Sequence, residues 1–259
     1  MAQLQFDEAT SRLMEEFNAS AGATRRRRRL LEMLALKPGE HVLDVGSGPG
    51  HYAFEMASAV GDSGRVAGVD NADDSLATAQ RRCAGLVNVG FHLGDATALP
   101  FADAIFDAAL STQTFEYLPN VQAALAEMFR VLTPGGRVLI HDTEWDAWAW
   151  HASDRARMNR IMAIWDKHLA DPHLPQTLGS RLTAAGFKDV GVEPLVHLET
   201  TYDPASMSAI LTKFVAGYVT SQGVADSEAE AWADDLRALG SKGEYFFSSN
   251  EYIFTGIKP

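Results

Sequence analysis

The sequence contains a single cysteine, Cys83, in 259 residues. One thiol cannot form an internal disulfide bond or supply a zinc site built on paired cysteines. Basic residues are also scarce, because 22 lysines and arginines stand against 34 aspartates and glutamates, for a formal net charge of −12. A nucleic-acid-binding face needs clustered positive charge, so nucleic acid is not expected as a partner.

Long apolar runs are missing as well. No stretch approaches the ~18 consecutive apolar residues of a membrane-spanning helix. The N-terminal segment lacks the basic region followed by an apolar one that is typical of a secretory signal. We therefore expect no membrane partner, and the single cysteine fits the reducing cytoplasm as the location.

What the sequence does contain is a regular alternation of strand and helix patterns. Short apolar runs bounded by glycine, proline or aspartate predict strands, with helical periods of ~10–15 residues between them. The predicted strands are 41–45, 65–70, 87–93, 105–111, 137–141, 190–202 and 245–257. This alternation is typical of a parallel sheet with helices on both faces, which makes the predicted fold class a doubly wound, Rossmann-like α/β fold.

Three segments fall outside the alternation. Residues 1–36 are predicted to form N-terminal helices, and residues 142–174 and 203–244 are predicted insertions that begin at the carboxyl ends of strands. Ligands of open α/β sheets bind at that edge. We therefore expect one domain over 1–259, in which both insertions form a helical lid over the active site.

A glycine-rich turn, Gly46-Ser47-Gly48-Pro49-Gly50, follows the first predicted strand and precedes a helix. Glycines permit a sharp turn and a close approach of a ligand, and the helix N-terminus offers N–H groups. Asp70 ends the second predicted strand, where a carboxylate can accept hydrogen bonds from both hydroxyls of a ribose. The combination fits either a dinucleotide or an adenosyl ligand.

Asp44, two residues before the first glycine, helps to separate these ligands. A carboxylate there would repel a pyrophosphate at short range and attract an ammonium group. The Gly-Lys-Ser/Thr sequence of a triphosphate-binding loop does not follow the turn. An adenosyl ligand that carries an amino group is therefore favoured over a nicotinamide dinucleotide.

Five motifs follow one another along the chain. They are 42–50 (VLDVGSGPG), 68–70 (GVD), 94–101 (GDATALPF), 106–107 (FD) and 132–136 (LTPGG). Together they resemble the motif series of class I S-adenosylmethionine-dependent methyltransferases, and among these the quinone-biosynthesis type and its small-molecule relatives. The resemblance implies S-adenosyl-L-methionine as the cofactor and a seven-stranded, mainly parallel sheet whose last strand is antiparallel.

The resemblance also implies roles for individual residues. The glycine turn would contact the methionine part of the cofactor, Asp70 the ribose, Asp95 and Ala96 the adenine, and residues 111–113 the region near the sulfonium. The expected cofactor-binding residues are Asp44, Gly46, Ser47, Gly48, Gly50, Asp70, Asn71, Asp95, Ala96, Ser111, Thr112 and Gln113. Two of them have an alternative, because aspartate is favoured as a helix cap, for Asp70, and as a turn former, for Asp95.

Residues 114–118 (TFEYL) lack the histidine that many relatives have after the fourth strand, so no catalytic base is carried over. The candidates near strand ends are Glu116, His141, Glu144 and His151, each of which can instead be solvated or act as a cap. Candidate substrate contacts are Tyr117, Trp145, Trp148 and Trp150, although these tryptophans can equally pack their segment onto the sheet. The histidines form no metal-ligand grouping, and no metal is expected.

The predicted function is methyl transfer from S-adenosylmethionine to a small acceptor, aromatic or apolar in character, by inline displacement. Alignment and exclusion of water would supply most of the acceleration. The alternatives are an S-adenosylmethionine-binding protein or a cyclase that transfers no methyl group, and a nicotinamide-dependent oxidoreductase. The arginine run 25–29 is expected to be solvated, or to provide one contact to an anionic group. The acceptor atom and the oligomeric state stay open.

Overall fold

The structure is a computed structural model that describes residues 8–259, and residues 1–7 of the predicted N-terminal helical segment lie outside the described residues. The helices are α1 (Glu8–Ala19), α2 (Ala21–Leu34), α3 (His51–Val60), α4 (Asp73–Arg82), α5 (Val121–Val131), α6 (Arg155–Trp165), α7 (Pro175–Ala184), α8 (Met207–Ser221) and α9 (Asp226–Ser241). The strands are β1 (His41–Val45), β2 (Arg65–Asp70), β3 (Val89–Leu93), β4 (Phe106–Thr112), β5 (Leu132–Trp150), β6 (Lys188–Glu199) and β7 (Phe247–Ile257). Short 3-10 turns cover Phe115–Tyr117 and Asp166–His168.

The strands form one sheet in the order β3-β2-β1-β4-β5-β7-β6. The pairs β1 with β2, β1 with β4, β2 with β3 and β4 with β5 are parallel. β7 runs against β5, since Gly135 N–H donates to Lys258 O and Lys258 N–H donates to Gly136 O, both at 2.8 Å. The predicted fold class, a mainly parallel seven-stranded sheet with an antiparallel last strand, is confirmed.

The core lies on both faces of the sheet. Successive strand residues point to opposite faces. Leu43 belongs to one buried cluster, together with Leu125 of α5, and its neighbour Val42 belongs to another, together with Leu30 of α2 and Met56 of α3. Burial of each such side chain contributes about 1.5–3 kcal/mol. Helices on both faces explain why the central strands read as continuous apolar runs.

β5 is longer than the predicted strand 137–141. It continues to Trp150, and Asp142 and Glu144 within it are buried. Residues 142–150, where the apolar strand pattern loosens and an insertion is predicted to begin, belong to the strand instead. The end of the predicted strand is corrected from residue 141 to Trp150. Burial of these carboxyl groups is set by tertiary packing and leaves no signature in local hydropathy.

The described chain divides into two compact units. The sheet unit contains Arg27–Thr143, His173–Leu195 and Glu251–Pro259, and the helical unit contains the described part of Met1–Arg26 together with Glu144–Pro172 and Val196–Asn250. The two later segments of the helical unit lie close in sequence to the predicted insertions. Their arrangement as a lid within a single domain stays a prediction.

Membrane crossing requires a helix that is both long and apolar, and none of the helices among residues 8–259 meets that requirement.

The arginine run lies in α2, where its members have different environments. Arg27 is 8% exposed and forms an ion pair with Glu55 of α3. Arg29 pairs with Glu193 at 2.8 Å on the surface, and Arg28 is exposed. The expectation of a solvated run is correct for Arg28 and wrong for Arg27, because a partner distant in sequence draws that guanidinium into the interior.

Candidate functional site

The glycine turn joins β1 to α3 in the conformation that its glycines allow. Gly46, Gly48 and Gly50 have φ values of +73°, +49° and +79°, in the left-handed region that other residues rarely adopt. The N–H groups of Gly46 and Ser47 both donate to the carbonyl of Val69, at 2.8 and 2.9 Å. These two hydrogen bonds fix the turn against the neighbouring strand β2.

The three glycines differ in the space around them. A Cβ at Gly46 would clash with Oγ1 of Thr114, and one at Gly50 would lie 2.9 Å from the Cβ of Ala79. A Cβ at Gly48 would meet no described atom within 4 Å. Within residues 8–259 no side chain caps the start of α3, so its N–H groups border an open cradle at Gly48.

Asp70 is held against this turn at the end of β2. Its Oδ2 accepts the N–H of Gly48 at 2.8 Å, and its Oδ1 accepts the N–H of Ala72 at 2.9 Å. Each carboxylate oxygen has a further lone pair for a ligand hydroxyl. The residue at the N-cap of α4 is Ala72, so Asp70 is positioned by the turn and does not occupy the cap. The adjacent Asn71 is exposed.

Asp44 lies in β1 and is 0% exposed. Burial, followed by the nearby charge of Asp70, raises the pKa of Asp44 to about 7, and the Ala53 backbone N–H offsets only part of this. Neither carboxylate oxygen makes a hydrogen bond of normal geometry with the described residues. A buried carboxylate in this condition costs free energy that a ligand ammonium group would relieve. The site therefore fits a cofactor that carries an amino group.

The predicted adenine contacts follow β3. Oδ1 of Asp95 accepts both the N–H and the hydroxyl of Thr97, each at 2.8 Å, and these bonds lower the pKa of Asp95. Asp95 thus has the turn-forming role that the sequence left open, and its contact with a cofactor stays a prediction. Ala96 packs against the hydrophobic core of the sheet.

The predicted contacts after β4 divide into two kinds. The buried hydroxyl of Ser111 donates to the carbonyl of Val45 at 2.8 Å and so joins β4 to β1. Thr112 is half-buried. Gln113 has a φ of +50°; its backbone N–H donates to His141 O at 2.8 Å, and its side-chain amide donates to Thr143 Oγ1 at 2.9 Å. Gln113 therefore links the end of β4 to the middle of β5.

Two buried acids, Glu116 in the 3-10 turn after β4 and Asp142 in β5, lie next to each other. Oε2 of Glu116 accepts the N–H of Thr143 at 3.2 Å, and Oδ1 of Asp142 accepts the N–H of Thr114 at 3.1 Å. Burial, followed by the charge of Glu116, raises the pKa of Asp142 well above its ordinary range. Burial and these two carboxyl groups also raise the pKa of the half-buried Tyr117. We refer to Glu116 and Asp142 as the acid pair.

Asp142 is a site residue that sequence reasoning missed. A signal was present, since Asp142 directly follows the predicted strand 137–141 at the edge where ligands of α/β sheets bind. Residue 142 falls instead in the predicted insertion 142–174.

The other catalytic candidates lie in different surroundings. His141 is fully buried, with its Nε2 hydrogen-bonded to Oε2 of Glu251 in β7 at 2.8 Å. Glu144 and His151 belong to the helical unit, where Glu144 is buried and His151 is exposed. The structure thus places Glu116 and His141 in the sheet unit with the glycine turn.

The tryptophan candidates lie in the helical unit and contact one another. The ring centroids of Trp145 and Trp148 are 4.7 Å apart. Trp150 is buried, and its Nε1–H donates to the hydroxyl of Tyr245 at 3.2 Å. These contacts are the packing role that the sequence left open, and contact with a substrate stays a prediction.

Comparison with known proteins gives three kinds of similarity. A family model described as a methyltransferase domain matches residues 36–185. A 37.1 kDa protein in transposon TN4556 of Streptomyces fradiae is 29% identical over 229 residues, which are 86% of this chain and 64% of that protein. Demethylmenaquinone methyltransferase of Staphylococcus aureus is 35% identical over 117 residues, which are 45% of this chain and 48% of that enzyme.

Among solved structures, phosphoethanolamine N-methyltransferase 2 of Haemonchus contortus in complex with S-adenosyl-L-methionine has a TM-score of 0.66 at 20% identity, over 98% of this chain and 58% of that one. At this identity the likeness concerns the fold alone. The chain spans between about half and two thirds of the length of the curated relatives named above.

Proposed function

The chain belongs to the methyltransferase-domain family, in the class I group that depends on S-adenosylmethionine, and from this membership we propose that it methylates a small-molecule acceptor. S-adenosyl-L-methionine is the cofactor of this class and, when bound, supplies a methyl group on a positively charged sulfur. The acceptor approaches in line with the carbon–sulfur bond, and its body is aromatic or apolar.

The observation that carries this proposal is the arrangement of Asp44, Gly48 and Asp70. Asp44 is a buried carboxylate that needs a cation, Gly48 leaves open space, and Asp70 is aimed by the Gly48 N–H. A ligand with an amino group at one end and a ribose at the other satisfies all three. Asp44 would hold the amino group and Asp70 the ribose hydroxyls, with the turn amides near the carboxylate.

The remaining predicted contacts extend this assignment. Asp95 and Ala96 would lie beside the adenine, and residues 111–113 beside the sulfonium. The chain's main contribution to rate is then positional, because a methyl group on sulfonium needs an aligned nucleophile and an environment without competing water. Glu116 and His141 are the proposed candidates for a base in the sheet unit.

The first test is calorimetry of the full chain with S-adenosylmethionine and with S-adenosylhomocysteine. We expect both ligands to bind in the micromolar range. If neither ligand binds, the proposal is wrong. NAD serves as the control ligand, because the buried charge of Asp44 should exclude a pyrophosphate from the turn.

The second test is turnover, measured as release of S-adenosylhomocysteine with a panel of small aromatic and apolar acceptors. Product formation supports methyl transfer. Cofactor binding without product from any class of acceptor would instead favour a cyclase or a binding protein, the alternatives that retain the same cofactor site.

A further inference from the structure

The acid pair is built into the fold by reciprocal hydrogen bonds. Glu116 is held by the N–H of Thr143, the residue after Asp142, while Asp142 is held by the N–H of Thr114, two residues before Glu116. Both acids are fully buried. The 3-10 turn after β4 and the chain of β5 therefore fix the two carboxyl groups next to each other.

The two oxygens of Asp142 differ in their hydrogen bonding. Oδ2 of Asp142 makes no hydrogen bond of normal geometry with the described residues. The charge of Glu116 adds to the cost of burying Asp142, and the backbone N–H groups of residues 114–116 offset only part of that cost. A buried acceptor left unsatisfied costs folding free energy. A cationic N–H donor from a ligand would satisfy this oxygen and relieve the repulsion.

The acid pair is also adjacent to the cofactor turn. The side chain of Thr114 fills the space that a Cβ on Gly46 would take, and the N–H of the same threonine donates to Asp142. One residue thus separates the acid pair from the turn. The pair lies at the carboxyl end of β4, where Thr112 pairs with His141 of β5, and this end of the parallel strands is the edge at which ligands bind in this architecture.

The two carboxyl side chains of the acid pair suit an organic cation better than a metal ion. The described residues contain no group of three or more histidine, cysteine, aspartate or glutamate side chains that could hold a metal ion. Two carboxyl groups suffice for an ammonium group, whose N–H donors match their lone pairs. Tyr117 lies near both acids, because their charges, after burial, raise its pKa.

We propose that Glu116 and Asp142 bind a primary or secondary ammonium group of the acceptor and take its proton, so that this protein methylates small amines on nitrogen. The inference rests on the proposed methyl transfer and names its acceptor class. An ammonium nitrogen has no lone pair for attack, so a carboxylate of the pair first accepts one N–H proton. The nitrogen–carbon bond then forms as the carbon–sulfur bond breaks, sulfur keeps the electron pair, and the product leaves as a methylated ammonium. The carboxyl proton returns to solvent.

The test is binding to the full chain in the presence of saturating S-adenosylhomocysteine. Phenylalkylamines with one to four methylenes are compared by calorimetry with the alcohols of the same length. We expect at least one amine to bind about tenfold or more tightly than its alcohol, in line with a charge-assisted pair. If no amine of the series binds more tightly than its alcohol, the inference is wrong.

Substitutions test whether the acid pair causes the preference for amines over alcohols. Asp142→Asn should weaken binding of the amine about tenfold and leave that of the alcohol and of S-adenosylhomocysteine unchanged. The matched control is Asp103→Asn, the same loss of charge at a side chain that is 76% exposed, and it should leave the amine affinity unchanged. Equal amine affinity in the wild type and Asp142→Asn would overturn the inference. If Asp142→Asn does not fold, the comparison of amine and alcohol in the wild type decides.

Two further outcomes separate this inference from the proposed function. Failure to bind S-adenosylhomocysteine at all refutes the proposed function, whereas binding of it without preference for amines refutes only the acceptor class. If Asp142→Asn weakens the binding of S-adenosylmethionine but not that of S-adenosylhomocysteine, the acid pair stabilises the positive charge of the sulfonium. The assignment of the pair to an amine is then wrong.

Discussion

The backbone N–H of Gly48 donates to Oδ2 of Asp70 at 2.8 Å, which couples the glycine turn to the end of β2. A second N–H, that of Ala72, holds the other oxygen. The carboxylate is therefore oriented before any ligand arrives, and little conformational entropy is lost when a ribose binds.

Asp70→Ala should weaken the binding of S-adenosylmethionine and of S-adenosylhomocysteine equally, because both contain the same ribose. Hydrogen bonds to a charged group contribute about 1.5–3 kcal/mol, so the dissociation constants measured by calorimetry should rise at least tenfold. The control is Asp74→Ala, an exposed acid in the first turn of α4, which should leave both constants unchanged. Unaltered binding by Asp70→Ala would contradict the ribose assignment.

Gly48→Ala should separate stability from binding. The left-handed conformation costs an alanine about 1–2 kcal/mol, so we expect the melting temperature to fall by a few degrees. The added methyl group would also occupy the open space at Gly48 where the cofactor is proposed to bind. Cofactor affinity should therefore fall by more than the small loss of stability explains. Gly85→Ala is the matched control, since Gly85 has a φ of +91° and a Cβ added there would also meet no described atom within 4 Å; it should show a comparable thermal shift with normal cofactor binding.

The raised pKa of Asp44 should make the free energy of unfolding depend on pH. Its pKa in the folded protein, about 7, lies above the ordinary 3.8, so the folded state retains a proton that the unfolded state has released. The stability contributed by this group therefore falls as pH rises from about 4 to about 7 and is constant above that. Asp44→Asn removes the penalty, and the unliganded variant should be more stable than the wild type at pH 8 by up to about 4 kcal/mol.

Urea denaturation at pH 8 and pH 5 checks this, with a smaller difference between variant and wild type expected at pH 5. A difference that does not change with pH would show that the carboxyl group is not protonated in the folded state. The same variant should bind S-adenosylmethionine more weakly at pH 8, because it has lost the partner of the amino group.

Arg27 and Arg28 allow a test of the arginine run with adjacent residues. Arg27→Ala leaves Glu55 without its ion-pair partner and removes a buried side chain, so the free energy of unfolding should fall by about 1–3 kcal/mol. Arg28→Ala, at an exposed position, should change it by less than about 0.5 kcal/mol. Neither change should alter cofactor affinity. If Arg28→Ala weakens cofactor binding, the predicted contact of this arginine run with an anionic group is supported.

The sequence was most informative where local chemistry decides the structure. Apolar runs and glycine breakers placed β1 and β2 at their observed bounds, and the turn at Gly46 to Gly50 with Asp70 was predicted as a unit. The burial of Arg27 could not be predicted, because Glu55 is distant in sequence. The same holds for Asp142, whose neighbour Glu116 reaches it only through the pairing of β4 with β5.

The position of β7 has a consequence for synthesis on the ribosome. β7 lies between β5 and β6 although it follows both in sequence, and β6, at the edge of the sheet, pairs with β7. Until residues 247–257 have emerged, β6 cannot join the sheet and β5 presents an open edge to other nascent chains. The hydrogen bonds between Gly135, Gly136 and Lys258 then cover the edge of β5, so β7 is the strand that joins β6 to the rest of the sheet.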